Sequence, residues 1–256
     1  MFVCRPDFLK NQASAPSLPR KGECGSAIFW IFIMIALFGA LTYAMSRGTR
    51  TGESSLNSEK NRLYVTEIQE YARAVREAVH QLKINGCSDT KISFQNSKVS
   101  GYTNGGAPSD KSCHVFEPDG GGLMYKGAET EWLDSAYEAQ SGYRQVFFNG
   151  ALGVREVGTD NYTDDLLLIV PFVSQDICLL INEKNNVPND DGDPPKEDNT
   201  PMADFLVKFV GSYGGGSDID GYGNLFSSNP FANTRQGCTT ASNNDSHYFY
   251  QVLIAR

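Results

Sequence analysis

The apolar positions divide the chain into one unbroken apolar segment, one amphipathic segment and a long region of short apolar runs. Residues 27–45, AIFWIFIMIALFGALTYAM, contain no charged side chain. A helix of that length nearly spans a hydrocarbon core of roughly 30 Å. Because the segment is apolar on every side and longer than a signal-peptide core, we predict a transmembrane helix. The alternatives are a removed secretion signal and a helix buried in a protein core.

A second helix is predicted over residues 56–85, because apolar residues recur there every three or four positions. These residues are Leu63, Tyr64, Ile68, Tyr71, Val75, Val79 and Leu82. Asn85 and Gly86 end the pattern, since glycine readily takes the left-handed conformation that closes a helix. Residues 46–55, between the two helices, are polar and contain Gly48 and Gly52, so we predict a linker there.

The rest of the chain predicts short strands joined by long loops. Runs rich in β-branched and aromatic residues are typical of strands. They occupy residues 91–94, 113–117, 143–150, 153–157, 165–170, 203–213 and 247–256. A short helix is predicted over 173–184, after Pro171, and two long loops over 186–201 and 211–237. The whole pattern predicts an α+β fold whose exported domain, residues 56–256, is rich in antiparallel sheet.

Charge and length affect the expected partners and topology. The chain has 256 residues, 40% of them hydrophobic, and a net charge of -8. An acidic chain is a poor partner for nucleic acid, so none is expected. Residues 1–26 are short, polar and basic, and we expect them to form a disordered leader that stays in the cytoplasm. The region beyond the apolar segment would then be exported.

Six cysteines support export. Their positions are Cys4, Cys24, Cys87, Cys113, Cys178 and Cys238. No two form a C-x-x-C pair, which disfavours zinc and thioredoxin-like chemistry. In an exported domain the last four would form two disulfides, with three pairings open. We favour Cys87–Cys113 and Cys178–Cys238, because each joins neighbours in sequence; the alternative is four reduced cysteines in a cytoplasmic protein.

Clustered carboxylates suggest one candidate cofactor, calcium. Asp190, Asp191 and Asp193 lie together in a loop, with Asp198 close by. Calcium takes six to eight oxygen ligands, several of which this loop could supply, although the spacing is not that of an EF-hand. A solvated acidic turn is the alternative. Asp218 and Asp220 form a second, weaker candidate.

Catalytic motifs are missing from the sequence. The three histidines, His80, His114 and His247, lie far apart, and neither H-E-x-x-H nor G-x-S-x-G occurs. We therefore predict no enzyme activity, no catalytic residues and no cofactor other than calcium. An exported hydrolase assembled only in space is the least favoured function.

The order of parts resembles type IV pilins and the pseudopilins of type II secretion. A basic leader ends in Lys21-Gly22, then come an apolar helix, an amphipathic helix and a strand-rich region with cysteines. Locally, residues 84–94, 111–122 and 248–256 resemble a group of uncharacterised bacterial membrane-anchored proteins. The resemblance implies a single-pass protein of the bacterial inner membrane, with its C-terminal domain periplasmic or extracellular. It also implies leader cleavage after Gly22 and association with itself or with other pilin-like subunits.

The resemblance is weaker at one position, and this affects the expected role. Pilin precursors carry a glutamate five residues after the cleaved bond. This chain has Ala27 there counting from Gly22, or Trp30 counting from Gly25. Such a glutamate neutralises a charge inside the apolar filament core, where an unpaired charge is costly. The sequence therefore favours a minor or tip subunit, or a permanently anchored binding module.

Overall fold

The computed structural model describes residues 27–158, 163–189, 192–215, 217–222 and 228–256, apart from the side chains of Ala27 and residues 45–55. The predicted leader, with Gly22, Cys4 and Cys24, lies outside these residues.

The chain divides into two compact units, Met1–Glu53 and Ser54–Arg256. The helices are α1 Ala27–Ile84, α2 Gln175–Lys184 and α3 Met202–Phe205. The strands are β1 Phe147–Val154, β2 Asp165–Val173, β3 Ser217–Ile219, β4 Gln236–Thr240 and β5 His247–Ile254. Short 3-10 helices occupy Asp89–Lys91, Thr130–Trp132 and Ser135–Tyr137.

Residues 46–55 are helical, although the sequence predicts a linker there. They lie within α1, which has 58 residues. Gly48 and Gly52 each cost a helix only about 1 kcal/mol relative to alanine, and no proline interrupts α1. Extending a helix from an existing turn is far easier than starting a new one. The helical segments on either side therefore carry the helix through this polar stretch.

The apolar segment presents large side chains to its surroundings. Trp30, Leu37 and Phe38 are 67%, 64% and 70% exposed. Thr42 satisfies its hydroxyl within the helix by donating to the carbonyl oxygen of Phe38, 2.7 Å away. Over the described residues, no helix is long and apolar enough to cross a membrane. The side chains of Ala27 and Met45, the two ends of the predicted span, lie outside that description.

The five strands form one mixed sheet in the order β3-β1-β2-β5-β4. Neighbouring strands are antiparallel except β1 and β3, which are parallel. The expectation of an α+β fold is confirmed, although the sheet is mixed and not purely antiparallel. β2 is central and all nine of its residues are buried, as expected of a strand covered on both faces.

Alternating side chains of β2 build two cores, one on each face of the sheet. Leu166, Leu168 and Val170 join one core, which α1 covers with a stripe of buried residues. That stripe is Val65, Ile68, Ala72, Val75, Val79 and Leu82. Leu167 and Ile169 join the opposite core. The helix face predicted from spacing is largely the face that packs, although Leu63 is 57% exposed.

Two disulfides cross-link the globular domain. They join Cys87 to Cys113 and Cys178 to Cys238, which is the pairing favoured from the sequence. The second bond ties α2 to the edge strand β4. Asn182 of α2 strengthens the same junction, because its amide bonds both the N–H and the carbonyl of Cys238, at 2.8 and 2.9 Å.

Three of the predicted strands are not strands in the structure. Residues 91–94 and 113–117 make only an isolated bridge between Ser93 and His114. Residues 203–213 instead begin in α3, because Pro201 starts the helix and has no N–H for a sheet. β2 in turn continues through Pro171, because a bulge with Phe172 at a φ of 61° accommodates the proline.

The contact between α1 and the sheet can be tested at Ile68, which is 1% exposed. Ile68→Ala leaves a cavity in the core and should lower the free energy of unfolding by about 2–5 kcal/mol. Leu63→Ala, on the exposed side of the same helix, should change it by less than about 0.5 kcal/mol. Urea unfolding followed by near-ultraviolet circular dichroism measures both. Equal effects of the two substitutions would contradict this packing.

Candidate functional site

The predicted calcium ligands do not form a cluster in the described structure. Asp190 and Asp191 lie outside the described residues. Asp193 accepts a hydrogen bond from the Gln175 amide, 2.6 Å away, and Asp198 is exposed. Across the described ranges, no group of three or more His, Cys, Asp or Glu side chains could hold a metal ion. Calcium binding by this loop therefore stays a prediction.

A buried glutamate that the sequence did not single out lies just before Asp198. Glu197 is 1% exposed. Its Oε2 accepts hydrogen bonds from the backbone N–H groups of Asp220 and Gly221, at 2.9 and 3.0 Å. Its Oε1 bonds the hydroxyl of Thr239. The glutamate thus connects three separate stretches of chain: the 195–200 segment, the 217–222 segment and β4.

Burial keeps the carboxyl group of Glu197 protonated at neutral pH. It raises the pKa of Glu197 to about 8, against the lowering effect of the three hydrogen bonds that the carboxyl accepts. The Thr239 hydroxyl donates to Glu197 Oε1, and its Oγ1 also lies 2.9 Å from the carbonyl oxygen of Pro195.

The 217–222 segment packs closely beside the Glu197 carboxyl group. Gly221 has a φ of +68°, which favours glycine, and a Cβ there would lie 2.5 Å from Pro230. Asp220 pairs with Arg155 at 3.6 Å, and the Arg155 guanidinium lies 5.2 Å from the centre of the Tyr222 ring. The backbone carbonyl oxygen of Asp218 accepts from the Thr200 hydroxyl, 2.6 Å away. Calcium binding by Asp218 and Asp220 stays a prediction.

A second buried carboxylate, Asp165, holds the start of β2. Its Oδ2 accepts from the N–H of Val154, and its Oδ1 accepts from the N–H of Arg256, both at 2.9 Å. Burial raises the pKa of Asp165 to about 6, against the lowering effect of these hydrogen bonds. No sequence pattern marks Asp165 or Glu197, because each accepts hydrogen bonds from backbone groups that are distant in the chain.

The three histidines are as scattered as the sequence implies. His80 is exposed on α1, and His114 is buried, which lowers its pKa. His247 lies on β5 with its Nδ1 2.9 Å from the Thr240 hydroxyl, and burial lowers its pKa as well. Within the described residues, no hydrogen bond joins a histidine to a serine or cysteine. The hydrolase alternative thus gains no support from this part of the chain.

Comparisons with known proteins identify no relative of this chain. No protein-family model matches the chain, and neither the curated proteins nor the solved structures contain a match. The functional proposal therefore rests on the residues of the chain and on the contacts they make.

The proton on Glu197 predicts a pH dependence of stability. Above its ordinary pKa of 4.5 the unfolded glutamate is ionised, whereas the folded one keeps its proton up to about pH 8. Between pH 7 and 8 the free energy of unfolding should therefore fall as pH rises, by at most about 1.4 kcal/mol per pH unit. The opposite effect of His114 and His247 is confined to pH values below about 6.5.

Glu197→Gln should remove this slope, because the glutamine amide can donate to Thr239 and accept from the two N–H groups. Glu183→Gln, on the exposed side of α2, should keep the wild-type slope. Urea unfolding at pH 7.0, 7.5 and 8.0 measures all three proteins. A Glu197→Gln protein that retains the wild-type slope would contradict protonation of Glu197.

Proposed function

We propose that this chain is a pilin-like or pseudopilin-like structural subunit, a minor or tip component of a bacterial filament or secretion apparatus. The observation that carries the proposal is the apolar surface of residues 28–44. A continuous exposed apolar surface of this kind marks contact with lipid or with another protein. In the proposed assembly, the inner membrane covers this surface first and neighbouring subunits cover it later.

Two further features support the proposal. α1 is unbroken from the apolar segment to the stripe that packs on the sheet, so the two helices predicted from the sequence are one. The two disulfides favour an oxidising compartment, which suits a periplasmic or extracellular domain. The missing glutamate, replaced by Ala27 or Trp30, is the reason for proposing a minor or tip role.

A permanently anchored extracytoplasmic binding module is the second candidate function. It is favoured by the same two residues, because it needs the apolar segment but not the buried charge pair of a filament core. Leader processing separates the two. Cleavage after Gly22 supports the pilin-like role, whereas an intact Met1 in membrane fractions, with no protein in sheared surface fractions, supports the anchored module.

Membrane association can be tested with matched lysine substitutions in the full chain. Ile31→Lys with Ile35→Lys places two charges in the apolar segment, each costing about 2.5–3.5 kcal/mol at a membrane centre. The protein should then leave the carbonate-resistant membrane fraction. Leu56→Lys with Leu63→Lys is the control, since these leucines are 62% and 57% exposed, as are Ile35 and Ile31. Wild-type protein in the soluble fraction would overturn the proposal.

A further inference from the structure

A cleft on the globular domain gathers three arginines. Arg73 and Arg76 lie one turn apart on α1, and Arg235 lies just before β4. The cleft has a volume of about 340 Å³, and its other lining residues are uncharged: Asn185, Asn233, Thr234, Gln236 and Gln251. Within the described ranges no acidic residue lines it, although the whole chain has a net charge of -8. Positive charge is thus concentrated here against the overall balance.

The three guanidinium groups have no protein anion of their own. Among the described residues, none of them forms an ion pair or a hydrogen bond. Glu70 and Glu77, their acidic neighbours on α1, make no ion pair with them. Arg235 attracts buried Asp165 only from a distance beyond a salt bridge. Arginine does not lose its proton in proteins, so the three side chains stay positively charged.

Three of the neutral side chains of the cleft are held by hydrogen bonds within the protein. The Gln236 amide donates to Asn185 Oδ1 at 2.6 Å, and the Asn185 amide donates to the carbonyl of Ile181 at 2.7 Å. The Gln251 amide donates to the carbonyl of Arg235 at 3.1 Å. These bonds hold the neutral side chains in place, and the guanidinium groups are the charged donors of the cleft.

The backbone under the arginines is held firmly. The carbonyl of Arg235 also accepts from the N–H of Val252 on β5, at 2.7 Å. Arg73 and Arg76 follow Ala72 and Val75, which are fully buried against the sheet. A ligand would therefore have to order only the arginine side chains, which lowers the entropic cost of binding.

The donor set fits a phosphate group better than a carboxylate. A carboxylate has two oxygens and is satisfied by one guanidinium fork, whereas a phosphate offers three oxygens and up to two negative charges. Arginine forks bind phosphate with two parallel hydrogen bonds. A volume of about 340 Å³ lies at the small end of ligand sites, enough for a phosphate with a small body attached.

We propose that this arginine cleft, formed by Arg73, Arg76 and Arg235, binds the phosphate group of a small phosphorylated ligand. The site belongs to the globular domain and does not depend on the role proposed for residues 28–44. Its failure would leave that role untouched, because the lysine substitutions there test different residues.

Calorimetric titration of the full chain in an uncharged detergent, with inorganic pyrophosphate at low ionic strength, tests the site. Wild-type protein should bind, and binding should weaken as salt is raised. Arg73→Gln and Arg235→Gln should each weaken binding roughly ten-fold or more, because each removes a charge-assisted hydrogen bond. Both residues are exposed, so neither substitution disturbs the core. Acetate at equal ionic strength should not compete.

Arg62→Gln is the matched control, since Arg62 lies on the same helix but lines a different groove, beside Glu183. It should bind as the wild type does. A second titration with a water-soluble, short-chain phosphatidic acid separates a free phosphate ligand from a lipid headgroup. Binding of either probe that needs Arg73 and Arg235 supports the site. No binding of either probe, or equal loss in Arg62→Gln, would overturn it.

Discussion

The fold depends on covering both faces of β2. This strand is buried along its whole length, so apolar side chains leave it in both directions and each face needs a cover. α1 supplies one cover with a regular stripe of small and branched residues. In the described part of the chain, the other face has no long helix. Aromatic side chains fill it: Phe172 from β2, Phe205 from α3, Phe231 from a loop, and Tyr248 and Tyr250 from β5. The sheet therefore has a long helix on one face and, on the other, loops with the short helix α3.

Buried loops explain the hydrogen bonds of Glu197. A loop brings backbone N–H groups into the interior without a ladder to bond them, and such groups must find acceptors. Glu197 accepts from two such groups, those of Asp220 and Gly221. Asp165 has a related role where strands end, because it accepts from Val154, the last residue of β1, and from Arg256, which follows β5.

The parts that sequence reasoning predicted are those governed by local periodicity. The packed face of α1, the strands β2 and β5, the helix α2 and the pairing of four cysteines all follow from spacing or from neighbouring positions in sequence. The errors share a different cause. Residues 46–55 have poor helix propensity but lie between two good helical segments, and residues 203–213 read as a strand until Pro201 starts a helix there. Glu197 and the arginine cleft join residues far apart in the chain, so no local pattern could reveal them.

The edges of the sheet limit how copies of this domain could associate. β3 has only three residues. On β4, the outward N–H and carbonyl of Cys238 are taken by Asn182, and those of Thr240 by Pro195 and Glu197. Strand addition needs a row of free backbone groups, so the β4 edge cannot accept a strand from another chain. Contacts made along the β4 edge would therefore use side chains, which makes them readily adjustable by mutation and by salt.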